Sequence, residues 1–383
     1  LPIWLDTSSR PIEDLCWQAQ VRLGSFYIKG MGEAYRVVVA GGITAHAGQL
    51  FREIHLDGPV ALVSDQNVGA YYLKPVEEAI RAAGYPVSSF LIPSGENFKT
   101  IDTVAQVWDF LINAGIERGS TVVALGGGVT GDLTGFAAAT FLRGVRWVNI
   151  PTTLLAMVDA GLGGKTGVDL PQAKNLIGAF HSPRLVLADP AVLKTLPDRE
   201  LRSGLAEVVK HGVIDDPELF DLCAQGWETV RQSLDGLIRR AMAVKVKFIQ
   251  QDPYEKGARK ALNLGHTVGH GVEIASHFQL SHGEAVAVGM VAEARLAELA
   301  GEAKEGLSEQ IATVLSGLGL PTRVPDGLSA DRIIQAMQLD KKRRGGKVHF
   351  ALPVDIGQVK WDEVVEDWQD RLKKVILAEE GKE

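Results

Sequence analysis

Between Tyr35 and Pro190, short runs rich in β-branched residues alternate with amphipathic stretches, and this alternation constrains the fold more than any other feature of the chain. The runs read YRVVVAGG, VALVSD, VSSFLIPSGE, STVVALGGG, VRWVNIPTT and RLVLADP, while stretches such as residues 73–83 and 104–114 carry apolar residues at helical spacing. Strands separated by helices pair in parallel, because each helical crossover returns the chain to the same end of the sheet. A doubly wound α/β domain of the nucleotide-binding kind is expected over residues 31–196. After about Leu196 the sequence turns to Ala, Leu, Glu, Lys and Arg, as in ELRSGLAEVVKHGV and GEAVAVGMVAEARLAELAGE, which predicts a mostly helical domain over 197–383. KVHFALPV, at 347–354, is the one strand-like run there. Residues 1–30 form an N-terminal extension.

Composition narrows the partners. Lys and Arg number 40 against 47 Asp and Glu, a net charge of -7, so there is no basic field to hold a polyanion and no nucleic acid partner is expected. No apolar run reaches the roughly 18 residues a membrane span needs. Cys16 and Cys223 stand far apart with no CxxC, which fits a reducing compartment, and the cytoplasm is the expected location. The 42 glycines, about 11% against a usual 7% or so, direct attention to loops where backbone meets ligand.

One such loop follows the run Thr121–Leu125. Gly126, Gly127, Gly128, Val129, Thr130 and Gly131 spell GxGxxG ahead of a helix predicted to begin near Asp132, where glycines let a pyrophosphate approach the helix N-terminus. The acidic residue usual about 20 positions later is missing, and Asp65, closing VALVSD, is the nearest substitute for holding ribose hydroxyls. A tight turn with no ligand remains the alternative reading.

A second pattern is Arg259, Asn263, His266, His270 and Glu273. At 100° per residue these five directions fall within an arc of about 80°, so one helical face is expected to carry a cation, an amide, two imidazoles and a carboxylate. Two His at i, i+4 suit a metal or acid–base site. His282 opens the next helix, and Glu207 lies in SGLAEVVKHG beside Lys210. Glu207, His266 and His282 would supply two imidazoles and one carboxylate, the ligand count of a catalytic divalent ion. Lys165, Lys174 beside Asn175, Lys245 and the pair Lys341–Lys342 sit in small-residue or apolar settings and suggest a small polyanionic substrate.

The motifs GGGVTGDLTGFAAATFLRGV, PTTLLAMVDAGLGGKTGV, AKNLIGAF, SGLAEVVKHG, NLGHTVGHGVE and HGEAVAVGM, in this order, resemble the 3-dehydroquinate synthase family from about Tyr35 to Lys360. The resemblance implies an NAD-dependent lyase that also needs zinc or cobalt. Such an enzyme turns 3-deoxy-arabino-heptulosonate 7-phosphate into 3-dehydroquinate and phosphate in the shikimate pathway, by transient oxidation at C5, phosphate elimination, reduction and aldol closure. It implies a homodimer. Carried over by motif, Glu207, His266 and His282 would bind the metal. NAD would meet Asp65, Asn67, Glu96 and Lys99, then Gly127, Gly128, Val129 and Asp132, and then Thr152, Thr153 and Thr195. The substrate would meet Asp159, Lys174, Asn175, Lys245, Arg259 and Lys342 (or Lys341), with Arg143 reaching across the dimer. Lys165, Lys210, Glu255, Asn263 and His270 would carry the chemistry, with Glu255 and His270 transferring protons.

Two rivals share the motifs or the plan. Related cyclases acting on substrates without a carboxylate should not need both Lys245 and Arg259; a polyol or alcohol dehydrogenase would turn over NAD stoichiometrically. Residues 1–25, LPIWLDTSSRPIEDLCWQAQVRLGS, resemble the C-terminal end of shikimate kinase, which suggests one piece of a kinase–synthase fusion.

Overall fold

The computed structural model describes residues 12–171, 173–341 and 347–380. The chain forms two compact units, Leu1–Leu196 and Pro197–Glu383. Unit 1 runs α1 (Ile12–Leu23), β1 (Ser25–Ile28), β2 (Tyr35–Val39), α2 (Ala47–Glu53), β3 (Val60–Asp65), α3 (Gln66–Ala82), β4 (Val87–Ile92), α4 (Ile101–Asn113), β5 (Thr121–Gly126), α5 (Gly128–Thr140), β6 (Arg146–Pro151), β7 (Lys165–Leu170), β8 (Ala173–Phe180) and β9 (Leu185–Ala188).

Seven of these strands form one sheet in the order β1-β2-β9-β6-β5-β3-β4. All pairs are parallel except β1 with β2. The buried strands read as apolar runs because both faces are covered. Side-chain alternation divides them between two cores: Leu62, Val123 and Leu125 pack with Phe51, Val76 and Ile80 from α2 and α3, whereas Ala61, Val63, Val122 and Ala124 pack with Val104, Leu111, Leu133 and Phe136 from α4 and α5. The α/β class expected from the alternation is the one observed.

The chain leaves β3 toward β4 and β5 toward β6, on opposite sides. The strand order therefore reverses between β3 and β5, and the carboxyl ends of that adjacent pair form the crevice where open α/β sheets bind ligands. Asp65 and Gly126 end those two strands. A separate antiparallel hairpin, β7 with β8, is not among the strands expected from the sequence, where the segments around Lys165 and Lys174 stand out only as cations in small-residue settings.

Unit 2 runs α6 (Asp198–Asp215), α7 (Pro217–Cys223), α8 (Trp227–Gln232), α9 (Leu234–Gln251), α10 (His266–Ala275), α11 (His282–Ala300), α12 (Leu307–Gly317), α13 (Ala330–Lys341), β10 (Phe350–Asp355), β11 (Gln358–Glu363) and α14 (Trp368–Glu380). Its helical character agrees with the composition change after Leu196. The strand expected at 347–354 is β10, and it pairs with β11. A core of Val268, Val272, Val288, Leu296, Ile333, Phe350 and Leu372 fixes α10 and α11 against α13, β10 and α14. No helix among the described residues is long and apolar enough to cross a membrane.

Candidate functional site

In unit 2 three side chains from three elements meet. Glu207, fully buried near the middle of α6, lies with His266, the first residue of α10, and His282, the first residue of α11, so that one ligand atom from each falls within 4.8 Å of the others. His266 Nε2 is 3.5 Å and His282 Nε2 3.4 Å from Glu207 Oε1. Neither Glu207 oxygen accepts a hydrogen bond of ordinary geometry from the described residues, although Lys210 Nζ stands 2.5 Å from Oε2. A buried carboxylate left in that state, facing two imidazoles, fits a divalent cation in both charge and donor type.

The electrostatics agree. Burial alone would raise the Glu207 carboxyl, but Lys210 and the two imidazoles hold it well below the usual carboxylate range. Burial, with Lys210 nearby, keeps His266 well below the ordinary imidazole value, hence neutral as a ligand must be. Burial opposes protonation of His282 too, yet its contacts with Glu207 and Glu273 push it up to about 10, the place a proton takes when no cation is there. Each ring is aimed from behind: His266 Nδ1 is 3.1 Å from Leu264 O and His282 Nδ1 3.2 Å from Glu273 Oε1.

The five-residue stripe is not one continuous helix. Ala258–Asn263 forms a 3₁₀ turn, and Gly265, at φ 78, breaks the chain before α10 begins. A side chain at 265 would meet Met290 Cγ at 2.7 Å and Val286 O at 2.8 Å, which is why glycine and its left-handed conformation stand there. Around the break, Asn263 Nδ2 donates to Glu255 Oε1 at 3.0 Å, and Glu255 itself has φ 58. Lys210, 1% exposed, donates to Leu262 O at 2.7 Å. Arg259 is buried and donates to Pro253 O at 2.5 Å, Lys245 is buried on α9, and His270 is exposed on α10. Lys342 lies outside the described residues.

In unit 1 the loop after β5 behaves as an approach for backbone. Gly127 caps α5, which begins at Gly128 rather than near Asp132, so Val129 and Asp132 belong to its first turns. A cleft is lined by Gly127, Gly128, Asp132, Asn149, Ala160 and Lys165. Lys99, buried, bridges Asp132 Oδ2 at 2.7 Å and Asn175 Oδ1 at 2.6 Å. Burial pushes the Asp132 carboxyl up to about 6 even though Lys99 acts the other way. Asn175, at φ 55 on β8, is steadied by Asp169, whose Oδ1 accepts from Asn175 N at 2.8 Å. Asp169 is a residue the motif reading passed over, because nothing local marks it.

The remaining positions divide clearly. Lys174 Nζ is 3.5 Å from Glu96 Oε1, both exposed. Asp65 caps α3 through the N–H groups of Asn67 and Val68 and also accepts from Ser94 and Thr130, so a ribose hydroxyl would have to share oxygens already engaged. Thr153 accepts from Ala156 N, Thr195 meets Tyr72 OH at 2.8 Å, and Thr152 is buried. Asp159 sits in the turn Ala156–Ala160, and Arg143, exposed, takes φ 67 beside Leu142 at φ 50.

Comparison with known proteins identifies the family. Residues 89–203 match the family described as 3-dehydroquinate synthase N-terminal, and 204–343 the one described as 3-dehydroquinate synthase C-terminal. The 3-dehydroquinate synthase of Nostoc sp. strain PCC 7120 is 45% identical over 343 residues, 88% of this chain and 94% of its own. That of Microcystis aeruginosa is 46% identical over 333 residues, 85% and 91% of the two chains. Among solved structures, the 2-epi-5-epi-valiolone synthase ValA of Streptomyces hygroscopicus, with NAD+ and Zn2+ bound, is similar at a TM-score of 0.83 and 30% identity, covering 94% of this chain and 100% of its own. A 2-deoxy-scyllo-inosose synthase complexed with carbaglucose-6-phosphate, NAD+ and Co2+ is similar at 0.82 and 25%, covering 91% and 99%. With both halves of the family matched and relatives near 45% identity along most of its length, the chain belongs to the 3-dehydroquinate synthase family.

Proposed function

We propose that this chain converts 3-deoxy-arabino-heptulosonate 7-phosphate to 3-dehydroquinate and phosphate, with NAD held by unit 1 and one divalent ion, zinc or cobalt, held by unit 2. The convergence of Glu207, His266 and His282 carries the reading. Bound NAD supplies a hydride acceptor and donor, and a bound divalent ion supplies Lewis acidity toward a substrate oxygen. The N–H groups of Gly127, Gly128 and Val129 receive a pyrophosphate at the start of α5. Lys99 orders Asp132 and Asn175 around the nucleotide side, with Asp65, Asn67, Glu96, Thr152, Thr153 and Thr195 completing that contact set.

Lys165, Lys174 and Asn175 bind the substrate phosphate and offset charge on it as it leaves. Asn263 fixes one oxygen of Glu255, which orients that carboxylate for proton transfer, and His270 is the second proton-transfer group. Lys210 balances the charge of Glu207. Arg259 and Lys245 receive the substrate carboxylate, Asp159 and Lys342 contact its hydroxyl and acidic groups, and Arg143 serves the site of a partner in a homodimer. The enzyme is a cytoplasmic homodimer in this reading; cell fractionation tests the location and light scattering of the purified protein the dimer.

Protein loaded with metal and catalytic NAD should release phosphate and dehydroquinate in equal amounts from the heptulosonate phosphate, with no NADH accumulating. Sedoheptulose 7-phosphate, which lacks the carboxylate, should be a poor substrate. Arg259→Ala should lower kcat/KM for the carboxylated substrate about 100-fold or more and barely affect the other, as loss of a buried charge partner requires. Efficient cyclisation of sedoheptulose 7-phosphate would reassign the chain to the valiolone-type cyclases, and accumulating NADH to the dehydrogenases.

A further inference from the structure

We infer that Glu293 is a positioning residue for the metal centre, acting by tying down the turn of α10 that carries His266. The inference rests on reading Glu207, His266 and His282 as a metal site. Glu293 is 0% exposed, in the middle of an otherwise small and apolar stretch of α11. A carboxylate in such a place needs compensating donors. It has them: Oε2 accepts from Gly265 N at 2.6 Å, Oε1 from Val268 N at 2.9 Å, and Thr267 N adds a third backbone donor. The peptide N–H groups on both sides of His266 are thereby held by one side chain.

This arrangement follows from the packing. The first N–H groups of a helix lack partners within it, and Ser, Thr, Asp or Asn at the N-cap commonly supplies one. The N-cap of α10 is Gly265, which has no side chain to offer and no room for one. The cap therefore comes from the neighbouring helix, as a carboxyl whose two oxygens accept from the backbone around His266. On α11, Glu293 lies eleven residues after His282, so the two directions differ by about 20° at 100° per residue. One face of α11 thus presents a metal ligand in its first turn and, three turns on, the group that fixes the start of α10. Glu293 touches neither substrate nor metal; it sets where the His266 ring points.

The test is cobalt titration of metal-free protein, followed by d–d absorption, with circular dichroism and Tm recorded alongside. Wild type should take up one cobalt per chain, and His266→Ala should not. Glu293→Gln, folded by circular dichroism, should bind cobalt at least tenfold more weakly and with a displaced d–d spectrum. Leu315→Ala, a cavity substitution on α12, should lower Tm while leaving the spectrum of bound cobalt unchanged. Wild-type affinity and spectrum in Glu293→Gln would overturn the inference; if that variant does not fold, the same result in Glu293→Asp would overturn it. Failure of wild type to bind cobalt, or undiminished uptake by His266→Ala, would instead overturn the metal reading and the inference with it.

Discussion

Gly126 and Gly128 stand two residues apart and answer to different constraints. A Cβ on Gly126 would lie 2.5 Å from the Thr130 side chain, whereas one on Gly128 would meet only Ala160 Cβ, at 3.4 Å. Gly126→Ala should therefore destabilise the protein by about 1–3 kcal/mol, the usual range for overpacking. Gly128→Ala should leave Tm within a few degrees of wild type and weaken NAD binding several-fold, read by fluorescence titration. Unaltered NAD affinity in Gly128→Ala would mean that the loop is a turn and nothing more. The two thiols offer a similar contrast. Cys16 is exposed, while burial pushes the Cys223 thiol up to about 12. Because the raised value leaves almost no thiolate at pH 8, the native chain should react with one equivalent of a thiol reagent at Cys16 and with two only after denaturation.

Close helix crossing in unit 2 places limits on whole elements. A Cβ on Gly289 of α11 would stand 2.0 Å from Gly265 O, and one on Gly283 would stand 1.9 Å from Ser203 O of α6. Backbone cannot step aside as a side-chain end can, so α11 would have to move from the residues that carry His266 and Glu207. Gly289→Ala would gain about 1 kcal/mol of helix propensity and lose about 3 kcal/mol or more to that clash. Its Tm should fall, with cobalt uptake falling in parallel. The same crossing explains what the sequence concealed. Spacing alone put Arg259 through Glu273 on one helix, because glycine at 265 reads as a mild helix defect until Met290 and Val286 are seen pressing on it. The apolar runs of β2, β3, β5 and β6 were legible because burial on both faces leaves so few alternatives. The β7–β8 hairpin was not, since its strands are short and glycine-bearing, and β8 is largely exposed, so they carry no such pattern. Glu293 passes in the sequence as one acid of a helical stretch, and only the fold reveals which N–H groups it meets.

At the scale of the molecule, the class of each unit followed from periodicity and composition, and the trio Glu207, His266 and His282 from the family motifs that carry those residues. How side chains from α6, α10 and α11 come to share one point is a matter of tertiary packing, which spacing cannot encode. The sheet in unit 1 adds a property of the whole chain. Its β2 edge is closed by β1, the antiparallel strand contributed by the N-terminal segment, with Phe26 and Ile28 buried and Trp17 of α1 against Phe26 at 5.9 Å between ring centroids. A chain shortened to begin at Tyr35 would keep every residue assigned a role in catalysis or cofactor binding. It would also present the YRVVV strand with a row of unpaired N–H and C=O groups, a ready template for a strand from another molecule. The shortened protein is expected to self-associate into β-rich aggregates at concentrations where the chain with β1 shows no turbidity. If it stayed clear and kept the Tm of the chain with β1, β1 would be dispensable; otherwise the segment that does no chemistry is the one that keeps the enzyme in solution.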